Sequence, residues 1–152
     1  QAGFDPEIAE ALCKTMRRSC TVEPLAFGTL LEKMRRGELD MIVAGLAKNE
    51  QRLAYMDFTN SYYHSRSIYL GQMDAILVDG LSGYEFLQSE RGQPFAILDD
   101  PLPPDEDLAY AHIGVRKNNP ELVDAINEAI VHIKLNGDYD RIVRKYFPFS
   151  IY

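Results

Sequence analysis

Apolar residues recur at helical spacing along several stretches of the chain, and short apolar or alternating runs separate them. Ile8, Leu12 and Met16 mark one face of a helix that Asp5 is expected to cap, with Pro6 in its first turn, running to about Arg18. Leu30, Leu31 and Met34 mark a second helix, Thr29 to Arg36, closed by Gly37. A third is expected over Leu81 to Gln88. The strongest helical signal covers Pro120 to Leu135. Proline stands at its start, Leu122, Val123, Ile126, Ile130 and Ile133 form the stripe, and Gly137 lies just past its end. A shorter helix over Asp138 to Tyr146 follows. Strands are expected at Cys20–Glu23, Met41–Ala44, Asp57 through Tyr63, Ser67–Leu70, Ala75–Val78 and Phe95–Leu98. Strands alternating with helices predict an α/β fold with a largely parallel sheet.

The chemistry concentrates between Gly37 and Tyr63. Met41, Ile42, Val43 and Ala44 form a short buried strand bounded by Gly37 and Gly45. Asn49 is placed to cap a helical turn that carries Glu50 at its start and Arg52 at its end. A cation therefore sits beside the end of a buried strand, next to a glycine. A guanidinium fork and backbone N–H groups at such a place can grip a small anion.

The set Gly37, Asp40, Arg52, Asp57, Phe58, Thr59 and Tyr62 resembles lobe 1 of the amino-acid-binding type II periplasmic binding proteins, bacterial extracellular solute-binding protein family 3. Gly3-Phe4-Asp5 with Ile8, Ala9, Leu12 and Cys13 resembles the family's first helix. Met73-Asp74-Ala75-Ile76 with Asp79 resembles a late strand of lobe 2. Gly114-Val115-Arg116-Lys117, Asn136-Gly137-Asp138-Tyr139 and Lys145-Tyr146-Phe147 resemble its C-terminal return. The ending, Phe147 to Tyr152, is similar to the lysine/arginine/ornithine and histidine receptors in particular.

The resemblance implies a two-lobed α/β fold, with residues 1–70 and 111–152 in lobe 1 and 71–110 in a partial lobe 2. It implies a periplasmic receptor, not an enzyme, that delivers an amino acid to the membrane subunits of an ABC importer, and the likeness of its ending points to a basic one. Two other readings stay open: a sensor module of a membrane signalling protein, and an enzyme of the same fold such as a cyclohexadienyl dehydratase. By the resemblance, Arg52 pairs with the ligand's α-carboxylate and Asp79 accepts from its α-ammonium, from opposite lobes. Gly45, Leu46 and Ala47 contribute backbone N–H groups; the hydroxyl usual in that loop is replaced by Ala47. The competing readings are a surface ion pair for Arg52 and a helix cap for Asp79. The resemblance also implies a disulfide between Cys13 and Cys20, against the alternative of two buried thiols. A disulfide in turn implies an oxidising compartment.

The family has a strand and an aromatic-containing loop before Gly-Phe-Asp, and a long lobe 2 interval where this chain has only Gly71 between Leu70 and Gln72. Parts of both lobes are thus expected to be missing. Treating the flanking strands as parallel requires a crossover of a dozen or more residues. Gly71 and Gln72 are therefore expected to be unbonded, and the sequence leaves open whether a segment was deleted or intervenes.

Composition narrows the classes. A formal net charge of −7 argues against nucleic acid and anionic membranes as partners. No apolar run reaches the ~18 residues of a transmembrane helix, and no secretory signal stands at the start, implying a mature form. Between Gln72 and Tyr110 lie nine acidic residues and one basic one, which would attract a cationic ligand or simply form a solvated loop around Pro101, Pro103 and Pro104. His64, His112 and His132 have no ligand or nucleophile at a recognised spacing, and no phosphate loop or serine elbow occurs. No metal and no cofactor are expected, and a monomer is. Tyr62 and Tyr63 are candidates to line a cleft.

Overall fold

The computed structural model describes residues 3–65, 67–71, 75–97 and 110–151, of which 67–71 and 75–80 are described in backbone only. The chain order is α1 (Phe4–Thr15), α2 (Phe27–Arg35), β1 (Met41–Leu46), α3 (Glu50–Leu53), β2 (Met56–His64), β3 (Ser67–Gly71), β4 (Ala75–Asp79), α4 (Gly80–Gln88), β5 (Ala96–Ile97), β6 (Tyr110–Arg116), α5 (Pro120–Leu135) and α6 (Asp138–Tyr146). The strands form two sheets of order β1-β6-β2 and β4-β3-β5.

Side-chain alternation in the first sheet builds a three-layer body. Ala111, Ile113 and Val115 of β6 join Tyr62 of β2 in one core with Ile8 and Leu12 of α1, Ile126, Ile130 and Ile133 of α5, and Tyr139, Ile142 and Val143 of α6. The opposite face carries Ile42, Leu46 and Met56, packed with Met34 of α2. Gly114 lies between these layers. A Cβ there would meet Met56 Sδ at 2.7 Å and Leu46 Cδ1 at 2.9 Å, so the second layer seats directly on β6 backbone. The C-terminal tail closes the body: Phe147 and Ile151 are buried, and His64 N–H donates to Ile151 O at 2.8 Å.

Local signals explain the helix ends. Gly37 adopts φ +71 after α2 and donates to Met34 O, while Glu38 N–H donates to Lys33 O. This pair of bonds is a Schellman closure. Asn119 caps α5 by accepting from Leu122 N–H, with Pro120 in its first turn. At α1 the expectation is corrected. The cap is Gly3 with no side-chain bond, and Asp5 lies inside the first turn. The tyrosine hydroxyl described below captures its carboxylate instead.

Other expectations are corrected by pairing. Cys20–Glu23 is not a strand: residues 18–26 carry no regular structure. They border an open groove of about 700 Å³ whose other wall is Met41–Ala44 of β1. Among the described residues β1 pairs only with β6, so its far edge is open there and the β-branched run Thr21-Val22 has no strand beside it. Every ladder among the described residues is antiparallel, not parallel. β1 and β2 do run in the same direction, but β6 separates them.

β3 and β4 likewise form an antiparallel pair with Gly71 opposite Ala75. A three-residue connection suffices for such a hairpin, so the crossover argument for a broken chain falls. The Gly71–Gln72 junction itself lies outside the described residues, as does the whole of the acidic, proline-rich stretch 98–109. Ser67–Gly71 pairs within the second sheet and Tyr110 within the first. The second sheet is tied to the first body through α4. Leu81 is buried in the main core, and the Tyr84 ring lies 6.1 Å from Phe147 and 5.3 Å from Phe149.

Candidate functional site

β1 ends in an irregularity. Its register to β6 shifts between Ile42 and Leu46, and Gly45 adopts φ +62, a conformation L side chains avoid. The chain then passes Ala47 and Lys48 to Asn49, whose Oδ1 accepts from Arg52 N–H at 2.9 Å and so nucleates α3. This short helix returns Arg52 to the strand end. Arg52 Nη1 donates to Ala47 O at 2.8 Å. The two residues expected to share the site are therefore in direct contact.

The guanidinium is partly buried and sits 5.5 Å from the centre of the Phe27 ring, which is 47% exposed. Among the described residues, no carboxylate pairs with Arg52. Elsewhere Arg36 meets Glu32, Arg116 meets Asp40, Lys117 meets Asp57, Arg141 meets Asp138 and Lys145 meets Glu7. The surface-pair reading of Arg52 thus finds no partner there. A cation held by a neutral carbonyl and an aromatic face keeps its attraction for an anion.

The backbone of the loop is less available than the sequence suggested. Gly45 N–H already donates to Tyr62 Oη at 2.9 Å. Leu46 is fully buried with Met34, Ile42 and Met56, so only its main chain can face a ligand. Asp79 ends β4 immediately before α4, opposite Ser67, and its side chain lies outside the described ones. Cys13 and Cys20 are disulfide-bonded, with Cα atoms 6.2 Å apart; the bond anchors the segment after α1 to that helix.

Tyr62, expected as a possible cleft residue, is fully buried. Its hydroxyl accepts from Gly45 and donates to Asp5 Oδ1 at 2.6 Å. Burial pushes the Tyr62 hydroxyl well above its ordinary range, and the Asp5 charge adds to this, so it stays a donor. Burial also pushes the Asp5 carboxyl up to about 6; the Tyr62 bond opposes the shift and Glu85 adds to it. Sequence reasoning missed Asp5 as well as Phe27. For Phe27 the signal was present: extending the Leu30, Leu31, Met34 stripe back one turn reaches it. The groove beside β1 includes Asp5 but none of Gly45, Leu46, Ala47 or Arg52. No group of three or more His, Cys, Asp or Glu side chains suited to a metal occurs among the described residues. Among them, no helix is long and apolar enough to cross a membrane.

The sequence profile of the bacterial extracellular solute-binding proteins, family 3, matches residues 1–149. The L-arginine-binding protein of Pseudomonas aeruginosa is 24% identical over 213 residues, covering 99% of this chain and 81% of that protein. The lysine/arginine/ornithine-binding periplasmic protein of Escherichia coli is 23% identical, covering 99% and 80%. These alignments are longer than the 152-residue chain, so the relatives carry internal segments that it lacks. Among solved structures, a periplasmic His/Glu/Gln/Arg/opine family-binding protein from Silicibacter pomeroyi in complex with lysine superposes with a TM-score of 0.83 at 18% identity, covering 99% of this chain and 89% of that one. An ancestral arginine-binding protein bound to arginine gives 0.82 at 19% identity, covering 96% and 88%. The likeness establishes a two-lobed α/β periplasmic-binding fold from which parts are missing.

Proposed function

The chain belongs to the bacterial extracellular solute-binding proteins, family 3, and from that premise we propose that it is a periplasmic receptor for a basic amino acid, which it hands to the membrane subunits of an ABC importer. The observation that carries this reading is Arg52: half-buried, braced by Ala47 O, beside the exposed Phe27 ring, and with no carboxylate partner among the described residues. Its remaining N–H groups suit the planar, bidentate geometry of an α-carboxylate. The two relatives reported above, both named for arginine, are binding proteins rather than enzymes. Asp79, at a strand end of the other sheet, takes the ammonium in this reading. A ligand bridging the two would favour the closed arrangement of the lobes.

Calorimetry with lysine, arginine, histidine and glutamine in turn tests the proposal. Losing one partner of a desolvated charge pair costs ~2–5 kcal/mol, so Arg52→Ala should weaken binding by roughly 30-fold or more. Unchanged affinity in that variant would leave Arg52 as an ordinary surface charge and remove the receptor reading of this site.

A further inference from the structure

We propose that Asp5 and Tyr62 are positioning residues of the Gly45–Ala47 loop, and that through them the grip on the ligand depends on whether Asp5 carries a proton. The inference rests on the reading of Arg52 and its loop as the carboxylate grip.

The direction of each hydrogen bond is forced. Gly45 N–H can only donate, so Tyr62 Oη accepts it at 2.9 Å. The hydroxyl hydrogen is then left for the oxygen 2.6 Å away on Asp5, which must accept. An ionised carboxylate is an acceptor only and fixes this order. A protonated one can turn its own O–H toward Tyr62 Oη and displace the tyrosine hydrogen, leaving the hydroxyl unsettled beneath Gly45.

The tyrosine cannot evade the change by swinging away. Its ring lies 6.4 Å from Phe4 and 4.8 Å from Tyr63, and its main-chain oxygen accepts the Tyr139 hydroxyl. On the other side of Gly45, Leu46 is pegged in the second core and Ala47 O holds Arg52. The φ of Gly45 therefore sets where Ala47 O, and with it the guanidinium, stands.

The charged and titratable groups around Asp5 come from several elements. Tyr62 approaches from β2 and Glu85 from α4. Arg18, Glu23, Glu38 and Asp40 share the groove, with Glu23 engaged by Lys33 and Asp40 by Arg116. On α1 itself Glu7 is engaged by Lys145 of α6. Glu85 and burial both favour the protonated carboxyl, and Tyr62 favours the ionised one, so the group is poised near pH 6.

Two measurements on the whole chain test this. The first is calorimetry with L-arginine between pH 5 and 7.5. The wild type should bind more weakly toward pH 5. Asp5→Asn, which keeps an accepting oxygen and does not titrate, should show a flat profile. Tyr62→Phe should bind about tenfold more weakly throughout. The second is independent of any ligand: the Gly45 amide resonance in an NMR pH titration. It should move with a midpoint near that of Asp5 in the wild type and stay still in Asp5→Asn. If no amino acid binds, the receptor reading fails by itself and the Gly45 resonance decides the relay. A Gly45 amide that does not move between pH 5 and 7.5, or moves equally in Asp5→Asn, overturns it, as does wild-type affinity in a folded Tyr62→Phe.

Discussion

Asp5→Asn should make the protein more stable near pH 8 and leave its stability unchanged near pH 3. The Asp5 carboxyl is raised on folding from 3.8 to about 6, with burial as the main cause. A group raised in the folded state contributes fully below its unfolded value, and that contribution is lost as pH rises through the folded value. Above about pH 6 the folded chain therefore carries a penalty for the ionised carboxylate. Roughly two pK units correspond to about 3 kcal/mol, an upper figure because Asp5 keeps some solvent contact. Asparagine imitates the neutral acid and removes the penalty. It also removes a negative charge from the first turn of α1, worth about 0.3–1 kcal/mol, and weakens the acceptor that Tyr62 uses. The net gain at pH 8 is about 1 kcal/mol, or roughly 2–4 °C in Tm for a chain of this size. Thermal unfolding of both proteins at pH 3 and pH 8, followed by circular dichroism, checks it. A variant no more stable than wild type at pH 8, or a difference of equal size at both pH values, would refute the linkage. A gain would mean that the ionised Asp5 is held at a cost to stability, as expected of a residue kept for function.

Reduction of the Cys13–Cys20 disulfide should lower stability by roughly 2.5 kcal/mol in the chain-entropy model, read as a drop in Tm on adding a phosphine reductant, and thiol titration in denaturant without reductant should find no free thiol. Leu46→Ala should cost about 2–5 kcal/mol in chemical denaturation, since Leu46 is fully buried in the smaller core. Gly45→Ala should cost about 1–2 kcal/mol for its φ of +62 and should weaken ligand binding as well, because the new Cβ would stand 2.5 Å from Tyr63 Oη and force that ring aside. A Gly45→Ala protein with wild-type stability and affinity would contradict the constraint placed on that turn.

The elements that could be read from sequence are those whose determinants are local. α5 was legible to the residue because Pro120, the apolar stripe and Gly137 all lie within it or beside it. α3 was legible because Asn49 captures Arg52 N–H three residues on. The errors concern pairing. Thr21-Val22 has strand composition, but a strand needs a paired neighbour, and a groove of about 700 Å³ stands between this run and the open edge of β1. The antiparallel pairing of β3 and β4 departs from the expected parallel crossover because the family's interval, not the pairing of these two strands, sets that expectation.

The candidate site divides along the same line. Arg52 and Ala47 are five residues apart, and their contact follows from one helical turn at a strand end. Asp5 and Tyr62 are 57 residues apart, and Tyr62 and Gly45 are 17 apart. In sequence, Asp5 is a plausible helix cap and Tyr62 one of two adjacent tyrosines on a strand. Only the packing of α1 against the sheet turns the cap candidate into the acceptor of a buried hydroxyl. That hydroxyl had to find an acceptor, since a buried polar group left unsatisfied costs about 1–3 kcal/mol. Sequence can thus nominate the cation proposed to meet a ligand, while the groups that hold the cation's loop in place become visible only when their hydrogen bonds are traced to the end.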